Sequence, residues 1–184
     1  ETFYVGYIWC ESMLDPVNSA AIIARVGFFL SRYNSYKFDK RKEDDASIRK
    51  WIATNLESTK TLSMGIMEKS HRSNNRELTH TMNQIMDQID MFKNDAYMAE
   101  SGVKGSFFSS RSAASSTSLK KLIEYDAIIL EEINKAREAV SSLQKAVAAS
   151  EKGAEEAAVN IHSYLATSHS KFRDRIKYIK GFGD

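Results

Sequence analysis

Proline is almost missing from this chain: among 184 residues there is one, Pro16, and the amphipathic pattern between Asp44 and Ile179 meets none. Because proline is the strongest helix breaker, its absence lets a 3.6-residue apolar period run on without interruption. Cysteine is equally scarce. Cys10 alone rules out an intrachain disulfide and a thiolate zinc site, and a reducing compartment, intracellular and cytoplasmic, is the expected location. The apolar run from Ala20 to Leu30 is cut by Arg25 and falls short of the about 20 apolar residues that a membrane crossing takes. No basic region precedes an apolar one at Glu1 and Thr2, so no secretory signal is expected.

Chemical signatures are lacking too. The chain has no Gly-x-Ser-x-Gly elbow, no glycine-rich phosphate loop and no Cys-x-x-Cys pair. The expectation is therefore no catalytic residue, no cofactor, no metal and no small-molecule substrate. Net charge is only +2, far from the basic excess of most nucleic-acid-binding domains, although local clustering can still supply a basic surface. With 42% hydrophobic and 27% charged residues the balance is that of a globular chain, not a disordered one.

What is present is helical periodicity. Residues 1–15 read as an extended apolar arm, since TFYVGYIWC is aromatic and β-branched but has no convincing second strand to pair with. Asp15 and Pro16 make a good helix start, and the first helix is expected to reach about Tyr33 with most of its surface buried. After the basic cluster Lys40-Arg41-Lys42, the acids Glu43, Asp44 and Asp45 sit where the positive end of a second helix favours them. That helix carries Ile48, Trp51, Ile52, Leu56, Leu62 and Ile66. Its stripe lapses over Glu68–Glu77, and Ser73-Asn74-Asn75 offers a turn; rod and hairpin are both open there. The pattern resumes at Leu78, Met82, Ile85, Ile89, Phe92 and Ala96.

Residues 101–118, rich in serine and glycine, read as a flexible loop dividing an N-terminal helical part (16–100) from a C-terminal one (119–184) of the same domain. Ser118 is the expected cap of the last helix. From Ile129 to Tyr164 the heptad register carries through without a skip, which favours one long helix to Ile179, roughly 90 Å at about 1.5 Å per residue, over the alternative of a hairpin at its weak point, Ser150-Glu151-Lys152-Gly153. The predicted fold is all-α: an elongated bundle or coiled coil of long antiparallel helices with an aromatic N-terminal arm.

Four groups of residues are candidates for function. The helix seams Met82, Ile85, Ile89 and Phe92, and Ile129, Ile133, Val140, Leu143 and Val147, are either a pairing surface for another subunit or partner helix, or the core of the chain's own bundle. The small residues Ala136, Ser150, Ala154 and Ala157 suit close approach of backbones. Lys171, Arg173, Arg175, Lys177 and Lys180, with Lys40, Arg41 and Lys42, make a candidate surface for anionic membrane or nucleic acid. Phe107 and Phe108 are a candidate loop anchor. Glu77-x-x-His80 and Glu68-x-x-His71 are half-motifs of a dinuclear metal bundle, both on a polar face where solvated residues are the default. The leading expectation is a structural or assembly protein forming a helical homo-oligomer, coat or scaffold. A peripheral binder of anionic surfaces comes second and a metal-dependent bundle enzyme third.

Overall fold

A computed structural model describes residues 16–99, 106–111, 114–149 and 154–181. Among these residues six α-helices follow in order: α1 (Pro16–Phe29), α2 (Arg41–Arg72), α3 (Arg76–Met98), the short α4 (Ser106–Ser109), α5 (Ser116–Ala149) and α6 (Ala154–Gly181), with a 3-10 turn at Phe38–Lys40. Among the described residues every regular element is helical, as the period required. The aromatic arm, residues 1–15, lies outside them.

The polar lapse at Glu68–Glu77 is a turn. Asn74 takes a left-handed conformation with φ 58°, which asparagine tolerates better than most residues. The Asn75 side chain then accepts the Leu78 N–H at 3.0 Å and caps α3. Across this turn Lys60 pairs with Asp90 at 2.6 Å, and Lys93 pairs with Glu57.

The continuous C-terminal helix expected from the heptad register is not what forms. α5 ends at Ala149, α6 begins at Ala154, and the two pack on each other more extensively than any other pair. Their contacts join the start of α5 to the end of α6, Tyr125 with Tyr178 at 6.0 Å, and middle to middle, Lys135 over the Tyr164 ring at 6.0 Å. An unbroken heptad is equally consistent with two helices burying the same stripe against each other, and that burial outweighs the preference for one exposed rod.

Each long helix has two long neighbours. α2 packs on α3 and α5, and α6 packs on α5 and α3. α1 lies against α5 and sets Phe29 edge-on to Trp51 of α2, ring centroids 5.2 Å apart. The shared core takes Ile48, Ile52, Leu56 and Ile66 from α2, Leu78 to Ala96 from α3, Leu122 to Leu143 from α5, and Ala158, Ile161, Leu165 and Phe172 from α6. Polar residues also enter the α2 stripe at Thr59 and Ser63. Their hydroxyls donate to the carbonyls four residues back, at 2.8 and 2.9 Å, and so remain paired inside the core.

Three smaller expectations are corrected. α1 stops at Phe29 rather than Tyr33, and among its described side chains only Val26 is buried, so most of the helix surface is open. The serine-rich segment includes the helical turn α4. The cap of α5 is Ser115, whose Oγ accepts the Ser118 N–H at 3.1 Å, and the helix starts three residues earlier than its apolar period does.

Leu143 is 1% exposed in the shared core. Truncation to alanine is expected to lower unfolding free energy by about 2–5 kcal/mol. Urea denaturation of Leu143→Ala checks this, and an unchanged midpoint would contradict its place in the core.

Candidate functional site

Charged residues stand at several positions that the apolar period assigns to the core. Asp126 falls between Leu122 and Ile129 in α5, Arg175 between Phe172 and Ile179 in α6, and Asp45 three residues before Ile48 in α2. All three are buried, Arg175 and Asp126 to 1% and 0% exposure, and they converge. The Arg175 guanidinium donates from Nε to Asp126 Oδ1 at 2.6 Å and from Nη2 to Asp45 Oδ1 at 2.7 Å. Nη2 also donates to the Tyr36 hydroxyl at 2.7 Å, and that hydroxyl donates onward to Asp126 Oδ2 at 2.6 Å. Tyr33 reaches the same carboxylate oxygen at 3.3 Å. Arg49, one turn after Asp45, donates to Asp45 Oδ2 at 2.9 Å. The cluster joins the α1–α2 connection, α2, α5 and α6 in one hydrogen-bonded unit.

Burial disfavours every charge in this cluster, and the partners answer it unequally. For Asp45, burial pushes the carboxyl up, but Arg175 and Arg49 together bring it below the usual carboxylate range. For Asp126 burial wins over Arg175 and the Tyr36 hydrogen bond, and the group stays above that range. Burial works against the Arg175 cation, yet Tyr36, Asp126 and Asp45 hold it firmly protonated. Desolvation likewise keeps the Tyr36 and Tyr33 hydroxyls protonated and available as donors. All of this chemistry is retentive. The unit holds protons and charges in place and presents no nucleophile.

The neighbouring backbone is strained to serve it. Ser35 and Tyr36 have φ of 55° and 57°, a region costly for a bulky side chain. Asp44 compensates by accepting the Asn34 and Tyr36 N–H groups at 2.9 and 2.8 Å. Beside it the buried Arg41 donates to the carbonyls of Phe107 and Ser110 at 2.6 and 3.0 Å, and its guanidinium lies 4.9 Å from the Phe107 ring centre. Thus Arg41 ties the α4 segment to the start of α2. The three adjacent acids expected to face a helix dipole include two, Asp44 and Asp45, that are internal fasteners.

A smaller polar unit joins α3 to α6. His169 Nε2 lies 2.7 Å from Asp95 Oδ2, and Arg173 Nε donates to the same oxygen at 3.0 Å. The imidazole stacks on Phe92, centroids 4.6 Å apart and planes at 15°. Burial raises the Asp95 carboxyl, but the hydrogen bonds and charges of His169 and Arg173 carry it below its usual value.

The candidate residues fall as follows. Met82, Ile85, Ile89, Phe92, Ile129, Ile133, Val140 and Leu143 are buried in the core, and Val147 packs at its edge. This is the bundle-core reading of the seams, and it removes them as an open pairing surface. Of the basic set, Arg175 is the buried hub and Arg41 is buried as well, so neither reaches a partner. Lys177 and Lys180 are exposed, Lys171 is half-buried with its amine 5.5 Å from the Tyr125 ring centre, and Arg173 is exposed although paired. Phe107 is wholly buried against Tyr36, and Phe108 packs half-buried beside it, centroids 4.9 Å apart, which overturns the exposed-anchor reading. His71 and His80 share an open groove at the α2–α3 turn, but no group of three or more His, Cys, Asp or Glu able to hold a metal occurs among the described residues.

Compared with known proteins, the chain matches no family model, no curated protein and no solved structure.

Removing the hub leaves Asp45 and Asp126 facing each other inside the core. Arg175→Met is expected to cost about 3–5 kcal/mol of stability, read from urea denaturation. A change below about 1 kcal/mol would contradict the buried pairing. The acid dependence is also specific. Asp45, depressed in the fold, contributes stability that is present above the ordinary carboxylate value and lost as pH falls through the folded one. Asp126, raised in the fold, contributes with the opposite sign, so its share is present below the ordinary value and lost as pH rises through the folded one. Unfolding free energy measured from pH 2 to 7 should therefore rise less steeply in Asp45→Asn and more steeply in Asp126→Asn than in the wild type.

Proposed function

We propose that this chain is a non-catalytic structural or assembly protein, a helical scaffold that forms a homo-oligomer or coat. The observation that carries this reading is the outer face of α1. Ala20, Ala21, Ala24 and Gly27 are exposed there, and Phe28 stands 82% open to solvent. The only charged residue of α1, Arg25, is neutralised by Glu131 through two hydrogen bonds of 2.6 Å. A solvent-facing helix normally carries a polar face, and among the described exposed side chains of α1 Arg25 alone is polar.

The proposed occupant is a second copy of α1, because the face is self-complementary. A two-fold axis near Ala24 sets Phe28 of each copy against the small Ala20 of the other, and a Cβ placed on Gly27 meets nothing within 4 Å. A helix of 14 residues, about 21 Å long, is shorter than a standard interface of about 800 Å² per partner requires. The apolar segment Thr2–Cys10, which precedes α1, is the proposed source of the remainder, as an arm lying on the bundle or reaching the neighbouring copy. Within each copy, the paired helices α2–α3 and α5–α6 are read as antiparallel hairpins of an elongated, coiled-coil-like bundle, an arrangement supported by the order of their cross-contacts.

A second reading, a peripheral binder of anionic membrane or nucleic acid, is favoured by the distribution of charge. The segments 30–50, 106–111, 114–126 and 171–181 carry fifteen basic residues and seven acidic ones, while the other described residues carry nine basic and eleven acidic. A net +2 therefore conceals one strongly basic end.

Light scattering on a sizing column tests the assembly. The wild type is expected to be an oligomer at low and high salt, and Phe28→Asp a monomer of unchanged helicity and melting temperature. Leu143→Ala should lose stability while the folded protein keeps its oligomeric mass. A monomeric wild type at both salts would sink the reading.

A further inference from the structure

The basic segments are scattered in sequence and gathered by the Arg175 unit. Arg175 touches Asp45 and Asp126, Tyr36 touches both Arg175 and Asp126, and Arg41 reaches the carbonyls of Phe107 and Ser110. Within this end the buried charges cancel, Arg41, Arg49 and Arg175 against Asp44, Asp45 and Asp126. What faces water is the remainder. Lys37, Lys42, Lys50, Lys121, Lys177 and Lys180 are all exposed, as are Arg32, Arg111 and Arg173, against the acids Asp39, Glu43, Asp95, Glu124 and Asp174. Two apolar side chains share this end. Met98 and Tyr97, at the close of α3, are 73% and 56% exposed. Tyr97 lines a groove with Arg49 and Lys50, and the next-but-one residue, Ala99, lines another with Ile179 and Lys180.

We infer that this end of the bundle docks on an anionic lipid leaflet, with the collar of lysines meeting the headgroups and Met98 and Tyr97 entering the interface. The inference rests on the second reading above and names its partner. Three observations favour lipid over nucleic acid. Six of the nine exposed cations are lysines, compact point charges suited to a diffuse anionic surface, whereas half of the six arginines here, Arg41, Arg49 and Arg175, whose planar fork suits bidentate phosphate recognition, are buried. Tyr125 and Tyr178 offer no free stacking platform for bases, because they pack edge to face at 87° and Lys121 and Lys171 approach the Tyr125 ring within 5.8 and 5.5 Å. Exposed Met98 and Tyr97 beside the basic collar add apolar area that a leaflet can bury and a phosphate backbone cannot.

The test is co-sedimentation of the full chain with vesicles of phosphatidylcholine alone and of phosphatidylcholine with phosphatidylserine, at low and high salt. In parallel, binding to a single-stranded and a duplex oligonucleotide is measured. Binding is expected only with phosphatidylserine, falling as salt rises. Replacing Lys42, Lys177 and Lys180 by glutamine should weaken it about fivefold per lysine, while Lys69→Gln and Lys145→Gln, at the other end, leave it unchanged. Met98→Asp should weaken vesicle binding alone. Melting temperatures confirm that each variant is folded, and Lys177→Gln by itself serves if the triple variant is not. Equal loss from both ends, or equal binding to phosphatidylcholine alone, overturns the inference. Oligonucleotide binding without vesicle binding overturns it but leaves the anionic-surface reading standing. Binding to neither overturns both.

Discussion

A single guanidinium, that of Arg175, constrains this fold more than any other group. It is closed off from water and must find acceptors there, since an unpaired buried cation costs several kcal/mol. Its acceptors come from parts of the chain 49, 130 and 139 residues away, at Asp126, Asp45 and Tyr36. Apolar stripes alone allow helices to slide or rotate by a turn with small loss, because leucine and isoleucine pack against one another in many registers. A forked donor satisfied by two carboxylates and a hydroxyl tolerates no such slip. Hydrophobic burial supplies the drive to collapse, and the ionic unit has all its partners in place in this alignment of the helices.

Other features of the same end follow from that alignment. Tyr36 meets Arg175 and Asp126 from a left-handed backbone, in which Ser35 and Tyr36 carry positive φ and Asp44 holds the N–H groups of Asn34 and Tyr36 in compensation. With Tyr36 fixed, its ring packs edge-on to Phe107 at 5.7 Å, and Arg41 secures that segment through two carbonyls. A stretch that reads as flexible from its serine and glycine content thereby contributes a buried phenylalanine to the core. Composition reports the average tendency of the stretch, whereas Arg41 and Tyr36 act on individual residues within it.

The helices themselves were legible in the sequence, because period and missing proline are local properties. The turn at Ser73–Asn75 was legible as one of two options, and Asn74 with the Asn75 cap decided it. The break between α5 and α6 was legible only as the less favoured of two options, since the heptad register says which face of a helix is buried and nothing about whether the chain doubles back to bury it. The ionic unit was missed for a related reason. Its members are remote in sequence, and Arg175 was grouped with its basic neighbours by charge. The visible signal lay in position: Asp45, Asp126 and Arg175 all sit where an apolar residue belongs, and a charge at such a place must be paired.

That pairing also sorts the two kinds of cation at this end. The cations inside are all arginines, Arg41, Arg49 and Arg175, each fixed by oriented acceptors, whereas Lys42, Lys50, Lys177 and Lys180 are outside together with Arg32, Arg111 and Arg173. An arginine inside can satisfy several acceptors with one rigid plane and is more weakly hydrated, so burying it sacrifices less than burying an ammonium would. Lysine, strongly hydrated on a flexible stem, stays with water and keeps its charge available. The neutral interior leaves the surface charge uncompensated from within. A bundle of nearly balanced composition thus acquires one basic end, because the contacts that align the helices also gather basic segments that are far apart in the chain.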